Sequence, residues 1–362
     1  MTLAPSPARA ILAPMNKSRA LLTSLRLSAQ WIGSPRPGAS AGDVVRHMTA
    51  MQAQDFPGAK WSVGLRAPGL TDAAVESALA TAEIVRSWPM RGTLHFVAPE
   101  DLGWMLQLTA PRLIRGARLR REQLGLTESD IERARAVARE ALGGGRVLSR
   151  DGIQSLWNEH GIETTGQRGY HLLWSLSQTG TLVFGPVDGK AQTFVLLDEW
   201  VTTPRRLEGD EALGEWAARY FSSHGPATVR DFAWWASLTL TEARRGVAVA
   251  NPRELEVDDV THYLADDLEP APNGTFLLPG FDEYLLGYQD RSAPITAEHF
   301  NLVVPGNNGI FQPTIVRNGE VVGLWKRPLA KRGFEFSPFA ALPKTNRAQA
   351  SFGAFMTQTP SR

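Results

Sequence analysis

Ile84–Val97 reads IVRSWPMRGTLHFV, two short apolar runs on either side of Arg91-Gly92. Apolar runs bounded by a glycine turn make a β-hairpin. Upstream, Lys17–Ile32 carries a stripe of Leu21, Leu22, Leu25, Trp31 and Ile32, which predicts a helix. A Pro- and Gly-rich loop, Gly33–Gly42, separates it from a second helix, Asp43–Met51, with Asp43 placed for its N-terminus. A third opens at Thr71, a plausible cap, and runs to about Thr81. Three helices followed by a hairpin is the order of a winged helix.

Within this unit, Met48–Leu65 (MTAMQAQDFPGAKWSVGL) holds two glutamines separated by one small residue. Val44, Val45, Met48 and Met51 recur at helical spacing, and Pro57-Gly58 is expected to break that helix. Gln52 and Gln54 therefore fall where it runs out. On a regular helix they would point about 200° apart, whereas in an extended turn both amides share one face. The plain alternative is a pair of solvated glutamines with no role.

The same order recurs downstream. Helices are predicted over Pro99–Leu108 and Pro111–Gln123, each with Pro in its first turn. Another starts at the capping sequence Thr127–Asp130 and ends at Gly143–Gly145. Ser149–His160 and Gly166–Gln178 follow, then Thr181–Phe184 and Thr193–Leu197 around the hairpin turn Asp188-Gly189. The strands Thr93–Val97 and Thr193–Leu197 resemble each other. A fainter third round comprises Glu208–Ser223, Val229–Ala236 capped by Thr228, Thr241–Val249 and the alternating Leu255–Leu264. A repeated supersecondary unit strengthens each copy.

Beyond about Asn251 the texture turns to β, with short strands at Phe276–Leu278, Asn301–Val304, Thr314–Arg317 and Val321–Trp325. Asn318-Gly319 is a strong hairpin turn. The expected fold is α+β: three tandem winged helix-turn-helix domains (15–98, 99–203 and 204–264) and a small β-rich, barrel-like domain (265–342). Residues 1–14 read as a disordered tail, or as an extension upstream of a start at Met15, and 343–362 as a loose tail.

At 362 residues the chain exceeds one ordinary core. It contains no Cys, which removes disulfides, Cys-based zinc sites and thiol nucleophiles and fits a reducing cytoplasm. No stretch approaches the roughly 20 apolar residues of a membrane span, and the N-terminus lacks the apolar core of a secretory signal. The seven histidines show no metal spacing, so neither metal nor cofactor is expected. A net charge of +1 is no signature of nucleic-acid binding by itself; any basic surface must come from segregated charge. The densest basic stretch runs from Arg86 through Arg91, Arg112, Arg115, Arg118 and Arg120 to Arg121.

Several stretches together resemble the bacterial winged-helix DNA glycosylases similar to AlkZ and YcaQ, over roughly Ser18–Leu342. They are Met51–Asp55, Trp88–His95, His224–Thr228, Leu278–Tyr284 and Asn308–Phe311. The resemblance implies that the winged helices form a C-shaped, positively lined cleft for duplex DNA. It also implies monofunctional excision of N7-alkylated purines, in some members from interstrand crosslinks. The family's catalytic motif is Gln-apolar-Gln in one branch and Gln-apolar-Asp in the other; Gln52 and Gln54 match the first. An N7-alkylated purine already carries positive charge and leaves readily, so two amides that place a water and aim dipoles at the sugar could suffice.

Asp55 and Asp282 are possible supporting carboxylates, although a helix-end role for the first and a loop anchor for the second are the plainer readings. Arg86, Arg91, Arg112, Arg115 and Arg118 are candidate phosphate contacts, Arg91 above all because it sits in the wing turn. His95 on the alternating strand reads as structural, and Trp174, Trp234 and Trp235 as packing. The expected partner is duplex DNA at the nucleoid in the cytoplasm, with no membrane and no obligate protein partner. The other functional class is a non-catalytic winged-helix regulator or damage-recognition factor, since fold does not fix function.

Overall fold

The first unit, in a computed structural model that describes residues 17–189, 191–327 and 333–357, contains the hairpin read above and one strand that was not. It comprises α1 (Lys17–Ala29), α2 (Ala41–Met48), β1 (Ala50–Gln52), α3 (Phe56–Arg66), α4 (Asp72–Ala80), β2 (Val85–Met90) and β3 (Thr93–Val97). The sheet order is β1-β3-β2, all antiparallel. Ser40 and Asp43 cap α2 reciprocally. The helix stops at Met48 rather than Met51, because Thr49 takes a φ of 68° and turns the chain into β1. Pro57-Gly58 does not break a helix but sits in the first turn of α3, where a missing N–H costs little.

α5 (Pro99–Gly116) runs straight through Pro111, so the two expected helices are one, followed by α6 (Arg118–Gln123). The second unit is α7 (Glu128–Leu142), β4 (Leu148–Ser149), α8 (Arg150–Glu159), α9 (Arg168–Gln178), β5 (Leu182–Phe184) and β6 (Thr193–Leu196), with sheet order β4-β6-β5 and a short α10 (Leu197–Trp200) after it. The third unit is α11 (Gly209–His224), α12 (Val229–Ala236), α13 (Leu240–Ala250) and the hairpin β7 (Arg253–Val257) and β8 (Val260–Leu264). Here a single bridge, Ala227 to Tyr263, stands where the other units have a first strand. All three units share one order: helix, strand or bridge, two helices, hairpin.

The C-terminal segment holds β9 (Thr275–Leu278), α14 (Glu283–Leu286), α15 (Ala297–Val303), β10 (Thr314–Arg317), β11 (Glu320–Lys326), β12 (Glu335–Pro338) and α16 (Asn346–Phe355). It departs from expectation in three ways. Its sheet, β12-β11-β10-β9, is open and antiparallel rather than a barrel. The stretch read as a strand at Asn301–Val304 lies largely in α15, where His299 and Val303 bury one face at helical spacing. The expected loose tail contains α16, whose buried Phe352 and Phe355 pack on Trp61 at ring distances of 5.0 and 5.3 Å. The expectation for residues 1–14 lies outside the described residues.

The C-terminal sheet shares a core with the first unit: Leu277, Ile315 and Val321 pack with Val45, Met48 and Trp61, and Trp61 Nε1 donates to Leu277 O at 2.8 Å. β2 is the meeting line of all three cores. Ile84 just before it faces this one, Val85 and Met90 face the core of the third unit, and Trp88 faces that of the second.

Candidate active site

β1 is an edge strand, so alternate backbone groups point away from β3 and need partners elsewhere. Ala53 N–H completes the ladder by donating to Leu94 O at 2.7 Å. Two further backbone groups of this stretch are met by buried charges. Gln52 N–H donates to Glu283 Oε1 at 2.8 Å, and Ala53 O accepts from Arg86 Nε and Nη2 at 3.0 and 2.7 Å. This clamp fixes the backbone at Gln52 and Ala53, with Ala53 fully buried. The two glutamine side chains meet just beyond β1, Gln52 Nε2 donating directly to Gln54 Oε1 at 3.0 Å. Gln52 is half-buried, its Oε1 without a partner among the described residues, whereas Gln54 is exposed. The two amides touch each other rather than flank an intervening water.

Asp55 caps α3, accepting from Gly58 N–H at 3.3 Å. Asp282 is buried in a two-point ion pair with Arg66, at 2.9 and 3.0 Å, and accepts from Ser62 Oγ at 2.5 Å. It anchors a loop and does not face the glutamines, so the carboxylate behind the motif is its neighbour. Glu283 Oε2 accepts from Trp235 Nε1 at 2.9 Å, which gives that tryptophan a polar task besides packing. Burial raises the Glu283 carboxyl, but His224 at 3.7 Å, Arg91 at 3.9 Å and His95 outweigh it and hold it at about 2. His95 is buried and pushed down to about 3 by that burial and by Arg91. Being neutral, it donates from Nδ1 to Thr93 O and accepts at Nε2 from Arg91, at 2.8 and 2.9 Å.

Two of the five candidate phosphate contacts are thereby withdrawn. Arg86 is buried between the rings of Phe56 and Phe184 and bound to Ala53 O, and Arg91 is largely covered and held by His95, Leu286 O and Trp234. A guanidinium spent on buried partners cannot reach a phosphate. Arg112 binds Glu242 at 2.8 and 3.1 Å and the carbonyl of Ser237. Arg115 and Arg118 are exposed at the end of α5 and on α6, Arg118 with Glu122 at 2.7 Å. The roles of Arg86 and Glu283 were missed, although a lone arginine in the otherwise buried strand Val85–Met90 signals a required partner.

No helix among the described residues is long and apolar enough to cross a membrane, and no group of three metal-ligating side chains comes together among them. Residues 45–353 match the model of the DNA glycosylase AlkZ-like family. The chain belongs to that family. It is 29% identical over 331 residues, 83% of this chain and 85% of the relative, to the interstrand DNA cross-link repair glycosylase of Streptomyces sahachiroi. The solved structure of Streptomyces sahachiroi DNA glycosylase AlkZ aligns with a TM-score of 0.77 at 25% identity, covering 96% of this chain and all of that one. The mixed α/β architecture is thus that of an AlkZ-like DNA glycosylase.

Proposed function

We propose that the protein is a monofunctional glycosylase that hydrolyses the N-glycosidic bond of N7-alkylated purines in duplex DNA, including bases joined in interstrand crosslinks. The observation that carries the reading is the pair of amides hydrogen-bonded to each other, with the nearby carboxylates among the described residues already engaged. Such a site offers no acid to protonate a leaving base. It suits a base that leaves without one, which a cationic N7-alkylpurine does.

Gln54, held by Gln52, accepts a hydrogen bond from the attacking water and turns its carbonyl dipole toward the positive charge growing on the sugar. The water oxygen bonds to C1′, the C1′–N9 electron pair neutralises the departing purine, and one water proton passes to solvent. The crosslink relative named above supports extension to bases tied across the duplex. So does a motif on an open strand-to-helix junction, since a crosslinked base cannot be turned into a tight pocket.

The three repeated units act as winged helices (15–98, 99–203 and 204–264) around a C-shaped DNA cleft, supported by their shared order of elements and by the likeness to AlkZ. Arg112, Arg115 and Arg118 are left from the original set as phosphate contacts, and the site of action is the nucleoid. The test is release of N7-methylguanine, and separately of an N7-linked crosslink, from duplex substrates. Excision of both supports the reading, whereas tight DNA binding without release of either base would favour a non-catalytic DNA-binding protein.

A further inference from the structure

Arg150, the first residue of α8, carries a charge that its surroundings do not balance. Its Nε is buried without a hydrogen-bond partner among the described residues. Among the described residues, the group seated on the guanidinium is the ring of Tyr170, whose centroid lies 6.0 Å away. A cation at a helix N-terminus also opposes the helix dipole, which favours anions there. The backbone is nevertheless fixed, Arg150 N–H donating to Gln192 O at 2.9 Å and Ser149 capping the helix.

The position of this charge relative to the glutamines follows from a run of packed rings. Tyr170 meets Trp88 edge-on at 6.3 Å, Trp88 meets Phe184 at 5.1 Å, and Phe184 lies 5.0 Å from the guanidinium of Arg86, which holds Ala53 O. Arg150 is close enough to Arg86 that its repulsion adds to the burial lowering that group to about 10. Tyr170 remains 37% exposed, so this run opens to solvent at the Arg150 end. Arg86, buried and held by a carbonyl and two rings, and Arg150, half-buried against the ring of Tyr170, make a positive patch. Such charge is costly unless an anion completes it.

We propose that Arg150, backed by Tyr170, binds a backbone phosphate of the DNA next to the nucleotide that Gln52 and Gln54 act on. The inference rests on the DNA glycosylase reading above and deepens it. Arg86 holds the motif, and Arg150 holds the strand brought to it. A guanidinium suits this role because its fork matches phosphate oxygens.

The experiment is fluorescence anisotropy of a labelled duplex bound by the full chain across a salt series, for wild type, Arg150→Gln and Arg150→Lys. Arg150→Gln is expected to lower the slope of log affinity against log salt by about one, and Arg150→Lys to retain it. Duplexes with single neutral methylphosphonates around the modified nucleotide then locate the contact. One position should weaken wild type and leave Arg150→Gln unaffected. An unchanged slope in Arg150→Gln, or methylphosphonate losses that are the same in both proteins at every position, would overturn the proposal while leaving the glycosylase reading intact. Failure of wild type to bind duplex DNA with any salt dependence would overturn both.

Discussion

The first and second units pass from their first strand to their next helix in different ways. In the second unit Ser149 is at once the last residue of β4 and the cap of α8, so strand and helix join without a gap. The third does nearly the same, with Ala227 on its bridge and Thr228 as the cap. In the first unit β1 ends at Gln52 and the cap is Asp55, so Ala53 and Gln54 lie between them. Glu283 and Arg86 hold this longer junction by binding Gln52 N–H and Ala53 O. One repeat thus carries a displayed pair of amides at a junction that the other two keep short. A plain junction and one that displays two amides can differ by two residues of chain and two buried charges.

Replacing the displayed amides should have the largest effect. Gln52→Ala and Gln54→Ala are each expected to slow excision about a hundredfold, on the order of 3 kcal/mol, with DNA affinity nearly intact. Gln54→Asp should retain measurable excision of small N7-alkyl adducts, because a carboxylate can still orient water.

The clamp comes next. Arg86→Met leaves Ala53 O buried and unsatisfied, which should cost about 1–3 kcal/mol in urea unfolding and slow excision as well. A change in stability alone would mean that the extended junction survives without its clamp.

The first unit should also be acid-sensitive. His47, stacked on Trp31, is held down at about 4 by burial, as His95 is at about 3. Both folded values lie below the ordinary 6.5, so the unfolded chain takes up these protons first. The stability they contribute is complete above about pH 6.5 and is lost as pH falls toward those values, at about 1.4 kcal/mol per pH unit for each. Urea midpoints that do not fall between pH 7 and pH 5 would contradict this.

Cap changes are the smallest. Thr127→Ala and Thr228→Ala should each cost about 1 kcal/mol without touching excision. Asp55→Asn, which keeps a capping oxygen, should excise at close to the wild-type rate; a large loss would give Asp55 a charge role in the chemistry.

The repeat was legible because hairpins and caps are local. Arg91-Gly92, Asp188-Gly189 and the capping box at Thr228 announce themselves within a few residues. The short strand β1 was not, since three residues paired to a partner more than forty positions away leave no periodicity of their own. The fate of the arginines was equally hidden. Arg86 and Arg118 look alike in a list of basic residues, and only the packing of β2 against three cores tells the enclosed one from the exposed one. Asp282 and Glu283, the cap and first residue of a short helix, point to different neighbours, Arg66 and Gln52 N–H, so the loop-anchor reading fits Asp282 while the contact of Glu283 with the motif was not legible. The glutamine pair itself was readable as a motif, but the direct hydrogen bond between its side chains was not.

The central claim is that Gln52 and Gln54 work as one unit, because one amide holds the other. A double-mutant cycle under single-turnover conditions, on a duplex carrying N7-methylguanine, measures this directly. The account predicts that the Gln52→Ala, Gln54→Ala double variant is hardly slower than either single variant, since removing one partner already disables the other. Effects that multiply would show two independent residues, and wild-type rates in both single variants would place the active site elsewhere.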